Sequence, residues 1–167
     1  MNNFGQQRQG RGQSRRFAAP KEKSEFDSKI LDIARVTRVT GGGKRFSFRT
    51  TIVIGDGRGR VGVGVAQGSD VAQSMQKATN QARRNLITVP ITKTTIPHEI
   101  QAKYNSAVVL IKPARPGSGV KAGGAVRVVA KLVGIENITA KLIRRTTNKI
   151  NIARATLKAL SQLKLKK

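Results

Sequence analysis

"IVIGDGRGRVGVGVAQGSD", Ile52 to Asp70, holds six glycines and two arginines. Within it Gly57, Gly59 and Gly62 spell G-x-G-x-x-G, the spacing that cradles a pyrophosphate in dinucleotide-binding proteins. Such a site needs a strand before the glycines, a helix opening from them, and an acidic residue about 20 positions on. The strand is present. In "FSFRTTIVI", Phe46, Phe48, Thr50, Ile52 and Ile54 share one face at period two, with Ser47, Arg49 and Thr51 on the other. The helix is absent. "RVGVGVA" alternates again, with Val61, Val63 and Val65 on one face and Arg60, Gly62, Gly64 and Ala66 on the other. "GDGRG" is therefore the turn of a hairpin, where Gly and Asp supply positive φ cheaply. The acidic residue is missing too, since Arg83 and Arg84 follow Ala82. Phe46 and Phe48 read as core, and Gly62 and Gly64 as a bare strip that lets another backbone come close.

Upstream, "ILDIARVTRV" reads as a strand after a short helical turn, and "GGGK" breaks the chain before the hairpin. Downstream, Ser69 is the expected N-cap, with Asp70 in the first helical turn. Val71, Met75, Ala78, Ala82 and Leu86 then recur at spacings of three and four, one face of a helix ending near Asn85 to Thr88. Its other side carries Gln73, Lys77, Asn80, Gln81, Arg83 and Arg84, with no acid. The unit is β-β-β-α: a three-stranded antiparallel sheet with a helix on one face.

"TVPITKTTIPHEIQ" changes character and reads as a connector or edge strand. Beyond it "NSAVVLIKPA" is a strand closed by Pro113, and "RPGSGVKAGG" a basic glycine loop. "AVRVVAKLVG" is a short helix with Val126, Val129, Ala130 and Val133 inward, ended by Gly134. "ENITAKLIRRT" is a strand. "NKINIARATLKALSQL" is a helix capped by Asn148, with Ile152, Ala155, Ala159, Leu160 and Leu163 inward. Strands alternating with helices make this half a two-layer α/β domain. The expected organisation is a disordered basic arm over 1–26, a first domain over 27–90, a linker over 91–101 and a second domain over 102–167. The arm is rich in Gln, Gly and Arg and too poor in apolar residues to fold. Lys164 to Lys167 read as a frayed basic end.

Across 167 residues, Lys and Arg number 33 and Asp and Glu 8, a net charge of +25. Such an excess points to a polyanionic partner, and its spread along the chain favours nucleic acid over a small acidic substrate. A membrane surface fits worse, since no long basic amphipathic helix with bulky aromatic anchors occurs. The chain has no cysteine, which excludes disulfides, thiolate zinc sites and Cys nucleophiles. The polar N-terminus and the lack of a long apolar run suit a soluble cytoplasmic chain.

Catalytic pieces are not visible. His98 has no second His or Cys with which to share a metal, and no acid falls in a catalytic or metal-ligating pattern. The expectation is no enzyme, no cofactor and no metal. "PGSGVKAGG" lacks the GK[ST] ending of a P-loop, though backbone N–H groups beside Lys121 and Arg127 suit an RNA phosphate as well as mere loop flexibility does. The six aromatics are too few for a base-stacking surface, so recognition should run through phosphates, 2′-hydroxyls and RNA shape.

"GGGKRFSFRTTIVIGDGRGRVGVGVAQGSDVAQSMQKATNQARRNL", then "IPHEI", "LIKPARPGSGVKAGGAVRVV" and "NIARATLKAL", together resemble the bacterial family of small-subunit ribosomal protein five. The resemblance runs from about Asp27 to Leu160, and its specificity lies in several motifs occurring in order. It implies an α+β protein. The first domain would resemble a double-stranded-RNA-binding fold, and the second would carry a left-handed βαβ crossover against the usual right-handed rule. It also implies contacts to small-subunit ribosomal RNA of head and body, to ribosomal proteins four and eight, and to the messenger RNA entry path.

On that resemblance the hairpin loop Thr37 to Lys44 reaches toward head RNA next to the spectinomycin site, and Gly119 and Arg127 match the contact with protein four that governs decoding accuracy. Charge and resemblance together nominate as RNA-binding Arg35, Arg38, Gly41, Gly42, Gly43, Lys44, Arg45, Arg49, Arg58, Arg60, Lys77, Arg83, Arg84, Lys121, Arg144 and Arg145. Two departures stand out. Gln67 replaces a lysine usual in the family after the third strand, and "RTTNKIN", Arg145 to Asn151, lacks the family's glycine and proline. The alternatives are a non-ribosomal RNA chaperone and a nucleotide-dependent enzyme.

Overall fold

The computed structural model describes residues 25–144 and 146–164. The arm of residues 1–24, Arg145 and residues 165–167 lie outside that description. Two strands, β1 (Asp27–Thr40) and β2 (Gly43–Gly55), form a long antiparallel hairpin. The chain is extended from Asp27 onward, so among the described residues no helical turn precedes β1. Phe26, read as the end of the arm, packs against the core formed by Ile52, Ile54, Ala78 and Ala82. A register shift between Ile30 and Asp32 adds one residue to β1 and bends it over the sheet.

β3 (Arg60–Gly68) pairs with β2, and a short fourth strand, β4 (Leu86–Thr88), pairs with β3. The sheet order is β1-β2-β3-β4, one strand more than the alternation suggested. Three residues are too few to show a period, so Leu86, in β4, read as the last inward residue of the helix before it. That helix, α1 (Val71–Arg84), is capped by Asp70 rather than Ser69. The Asp70 carboxylate accepts the Ala72 N–H at 3.3 Å, while the Ser69 N–H and hydroxyl both donate to Gln73 Oε1 at 3.2 Å. Both residue types cap well, and the charged side chain closer to the first turn takes the position.

α1 lies close on β3 because nothing projects beneath it. A Cβ at Gly62 would stand 2.3 Å from the Ala82 carbonyl oxygen, and one at Gly64 2.0 Å from that of Ala78. Thr50 Oγ1 and Ser74 Oγ share a buried hydrogen bond of 2.7 Å across the same interface.

The second half builds a mixed sheet from β5 (Ile100–Tyr104), β6 (Ala107–Pro113), β7 (Val120–Lys121) and β8 (Ile138–Arg144), in the order β5-β6-β8-β7. Only β7 and β8 run parallel, and α2 (Gly124–Val133) connects them. The basic glycine loop therefore contains a strand of two residues. α3 (Lys149–Ser161) starts at Asn148, whose side chain accepts the N–H groups of Ile150 and Asn151.

α2 and α3 pack between the two sheets, so α1, the first sheet, the helix pair and the second sheet form successive layers. Val53, Val61 and Val63 face away from α1 and share one core with Val126, Val129, Ala155, Val109 and Ile111. The connector joins the same core. Val89 and Ile96 are buried, Val89 N–H donates to the Gly59 carbonyl at 2.8 Å, and the stretch read as linker already enters β5 at Ile100.

The glycine turn that opened the sequence question sits at this junction. Gly57 and Gly59 have φ of 66° and 99°, as a tight turn requires. Their N–H groups donate to the Leu132 and Val133 carbonyls at 3.0 and 2.8 Å. These are the last carbonyls of α2, which the helix itself cannot satisfy. The turn thus caps the negative pole of a helix, the opposite of an anion cradle. Its donors are spent on carbonyls, so the G-x-G-x-x-G spacing holds no phosphate.

Candidate nucleic-acid interface

Strand β3 stops at Gly68, opposite Phe48. Beyond that pair β1 and β2 continue alone as a two-stranded ribbon, from Val36 paired with Ser47 to Thr40 paired with Gly43. From Ile33 to Gly55 the sequence holds no acid. Lys44 lies on the ribbon face that continues toward α1, with Arg35 at the root of that face; Arg38 and Arg45 lie on the opposite face, which Arg49 continues onto the three-stranded sheet. All five are exposed. Gly41 and Gly42 form the tip, and Gly43 takes φ 123°, with the Thr40 hydroxyl donating to its carbonyl at 3.1 Å. A backbone this open on both sides can approach a phosphate without side-chain obstruction.

Phe46 departs from its expected place in the core. It is 51% exposed, and the Arg35 guanidinium carbon stands 3.8 Å from its ring centroid. Phe48, one pair closer to β3, is half-buried. Alternation assigned the right face, but the helix that covers that face does not reach along the ribbon. The partner strand carried the missed signal: "RVTRVT" places Thr37 opposite Phe46 and Arg35 opposite Phe48, which are poor lids for a core phenylalanine.

The β2–β3 turn lies at the other end of β2, about 40 Å from the ribbon tip at ~3.3 Å per residue. Arg58 is exposed there. Arg60 binds Asp56 at 2.6 Å, and its guanidinium lies 5.1 Å from the Phe26 ring centroid. The Asp56 side chain is 5% exposed, covered by its own turn at the rim of the molecule. That burial pushes its pKa up. The Arg60 side chain, the Arg58 and Arg60 N–H groups and the Arg60 charge outweigh it and hold Asp56 down at about 2. Arg60 thus has one face committed to structure, which sets it apart from Arg58.

Lys77, Arg83 and Arg84 project from the outer side of α1, and all three are exposed. Gln67 donates its amide to the Ser47 hydroxyl across the sheet. It braces the root of the ribbon. Lys121 on β7 and Arg144 at the end of β8 are exposed in the second half, away from the ribbon. Arg145 lies outside the described residues. The nominated residues therefore form several surfaces, not one patch.

Gly119 and Arg127 do come together. Gly119 has φ 68°, its N–H donates to Asn137 Oδ1 at 3.0 Å, and its carbonyl accepts the Ile138 N–H at 3.2 Å. Arg127 donates to the Val120 carbonyl at 3.0 Å, clasping the strand just after Gly119. Arg127 and Lys131 also line an open cavity of about 660 Å³ with Gly57, Val120, Gly134, Ile135 and Glu136.

Among the described residues no three His, Cys, Asp or Glu side chains gather as metal ligands, and no helix is long and apolar enough to cross a membrane. The acids that are paired serve structure: Asp56 with Arg60, Glu99 with Lys112 at 3.1 Å, and Asp32 with Lys149 at 3.0 Å. Most of the exposed cations therefore face solvent.

Two family patterns match the chain in order: Ribosomal protein S5, N-terminal domain, over residues 26–90, and Ribosomal protein S5, C-terminal domain, over residues 102–167. The small ribosomal subunit protein uS5 of Persephonella marina is 49% identical over 139 residues, covering 83% of this chain and 72% of that protein.

Proposed function

This chain belongs to the ribosomal protein S5 family, a structural constituent of the small ribosomal subunit and not an enzyme, and from that premise we propose that it holds ribosomal RNA through phosphate contacts on its separate basic surfaces. The observation that carries this reading is the acid-free ribbon and its root, with Arg35, Arg38, Lys44, Arg45 and Arg49 exposed on two faces. Basic surfaces at both ends of β2 and on α1 suit a brace that grips RNA elements lying far apart, here the head and the body of the subunit. The domain boundaries near residues 90 and 102 follow the same reading.

Proposed neighbours are ribosomal proteins four and eight and the messenger RNA entry path. Gly119 and Arg127 form the face for protein four. Arg127 holds the backbone beside a left-handed glycine, so a change at either residue reshapes one surface. If that interface parts when the subunit closes on a matched codon, weakening it eases closure for near-cognate pairing as well, by roughly 1–3 kcal/mol.

Binding of the full chain to small-subunit ribosomal RNA, titrated against salt, tests the reading. Each neutralised duplex phosphate contributes a slope of about −0.9 in log K against log salt. A slope near zero, or failure of the protein to co-sediment with small subunits at moderate salt, overturns it. For the accuracy role, cells carrying only Arg127→Leu should assemble subunits yet read through stop codons more often, and unchanged accuracy would remove protein four from this face.

A further inference from the structure

The α1-side face of the ribbon is apolar as well as basic. Val39 (70% exposed) and Phe46 (51%) lie on it, beyond the end of β3, and Ile33 (47%) continues the same face along the outer strand beside the three-stranded part of the sheet. A solvated ribbon gains nothing from such side chains, and a two-stranded ribbon without a third strand is marginal by itself. Its surroundings specify what covers it. Arg35 stacks on the Phe46 ring at 3.8 Å, Lys44 stands on the same face, and no acid lies between Ile33 and Gly55.

We propose that Arg35 and Phe46 form a stacking platform for an unpaired RNA base, a contact separate from the phosphate grip along the same ribbon. The proposal rests on the reading of the chain as an RNA-binding protein and adds the class of RNA feature that this face takes. An aromatic ring and a guanidinium plane are the two groups on which proteins stack splayed-out bases. Bases within a duplex are already stacked on each other and present no free face, so a helical segment gains nothing from Phe46. Arg35 fixes the ring through the cation–π contact and offers its own delocalised plane beside it. An apolar patch on a protein partner is the other conceivable occupant, but an acid-free stretch carrying five cations selects against most protein surfaces and for a polyanion.

The test uses the full chain with two probes of equal nucleotide count, an unpaired oligoadenylate and a fully paired RNA duplex. Phe46→Ala should weaken oligoadenylate binding by about tenfold to a hundredfold and leave duplex binding within about twofold. The salt slope should not change, because no phosphate contact is lost. Phe46→Trp should bind as well as the parent or better, and Phe46→Leu, apolar but without a π face, should behave like alanine. As Phe46 lies outside the core, all three should unfold at the parent temperature.

Three results overturn the platform: Phe46→Ala binding oligoadenylate like the parent, Phe46→Leu restoring full affinity, or equal losses on both probes. If the unsubstituted protein binds neither RNA, the RNA-binding reading fails instead, and the two failures are distinguishable.

Discussion

Replacing Gly64 with alanine tests how closely α1 is seated on β3. The new Cβ would stand 2.0 Å from the Ala78 carbonyl oxygen and 2.7 Å from the Ala82 nitrogen. Ordinary contact begins at 3.4 Å, so the middle of α1 must rise by roughly 1.4 Å. Both obstructing atoms are backbone, and no rotamer change relieves them. Lifting the helix separates Ala78 and Ala82 from Ile52 and Ile54, and it stretches the 2.7 Å Thr50–Ser74 bond past hydrogen-bonding range. Overpacking costs about 1–3 kcal/mol, and the broken buried bond about 1 kcal/mol more. Alanine gains back less than about 1 kcal/mol through its lower backbone entropy. The clash wins, with a net loss of about 1–3 kcal/mol, a fall in Tm of about 2–12 °C. Thermal unfolding followed by far-ultraviolet circular dichroism reads it. Gly42→Ala is the control, since nothing lies within 4 Å of a Cβ there. Equal melting of Gly64→Ala and the parent would refute the close seating of α1.

Other perturbations have equally definite outcomes. Asp56 is held at about 2 against an ordinary 3.8, so its contribution is present above pH 4 and fades as pH falls toward 2. With solvent screening at the half-exposed Arg60, that contribution is about 1 kcal/mol, and the stability gap between parent and Asp56→Asn should close over that window in acid titrations of urea unfolding. Thr51 Oγ1 is the buried side-chain polar atom without a partner among the described residues, and Thr51→Val should raise stability by about 1 kcal/mol. A loss of stability would mean that this hydroxyl is hydrated. Arg83→Glu with Arg84→Glu should weaken RNA binding while costing the helix C-terminus roughly 0.3–1 kcal/mol per charge. Unchanged RNA affinity would remove that end of α1 from the interface.

Local chemistry was legible in the sequence wherever neighbours along the chain decide the structure. The β2–β3 hairpin, the Asn148 cap and the Gly134 stop at φ 93° follow from spacing and residue type. The strip at Gly62 and Gly64 was readable as a place of close approach because the glycines alternate with valines. Apart from two local slips, the α1 cap at Asp70 rather than Ser69 and the turn expected before β1, what failed depends on how far one element extends over another. Phe46 lies on the face assigned to it, but its exposure depends on β3 ending at Gly68. The role of Gly57 and Gly59 depends on the end of α2, roughly 75 residues away, and no periodicity carries that information. Pairing of Arg35 with Phe46 was missed for the same reason. A diagonal contact across a ribbon shows only when the register is known.

Burial of the first sheet on both faces has a consequence for synthesis of the chain. β1 to α1 leave the ribosome first, and once α1 docks, one face of that sheet is covered. Val53, Val61 and Val63 on the other face wait for α2 and α3, which end near Leu163. At about 5–20 residues per second the roughly 80 residues from Arg84 to Leu163 take between about 4 and 16 s to appear. During that interval a nascent chain with strong positive charge displays an uncovered valine surface. Charge repulsion between neighbouring nascent chains then guards the valines until the helices arrive, so the cations that later meet RNA also keep the unfinished protein from aggregating.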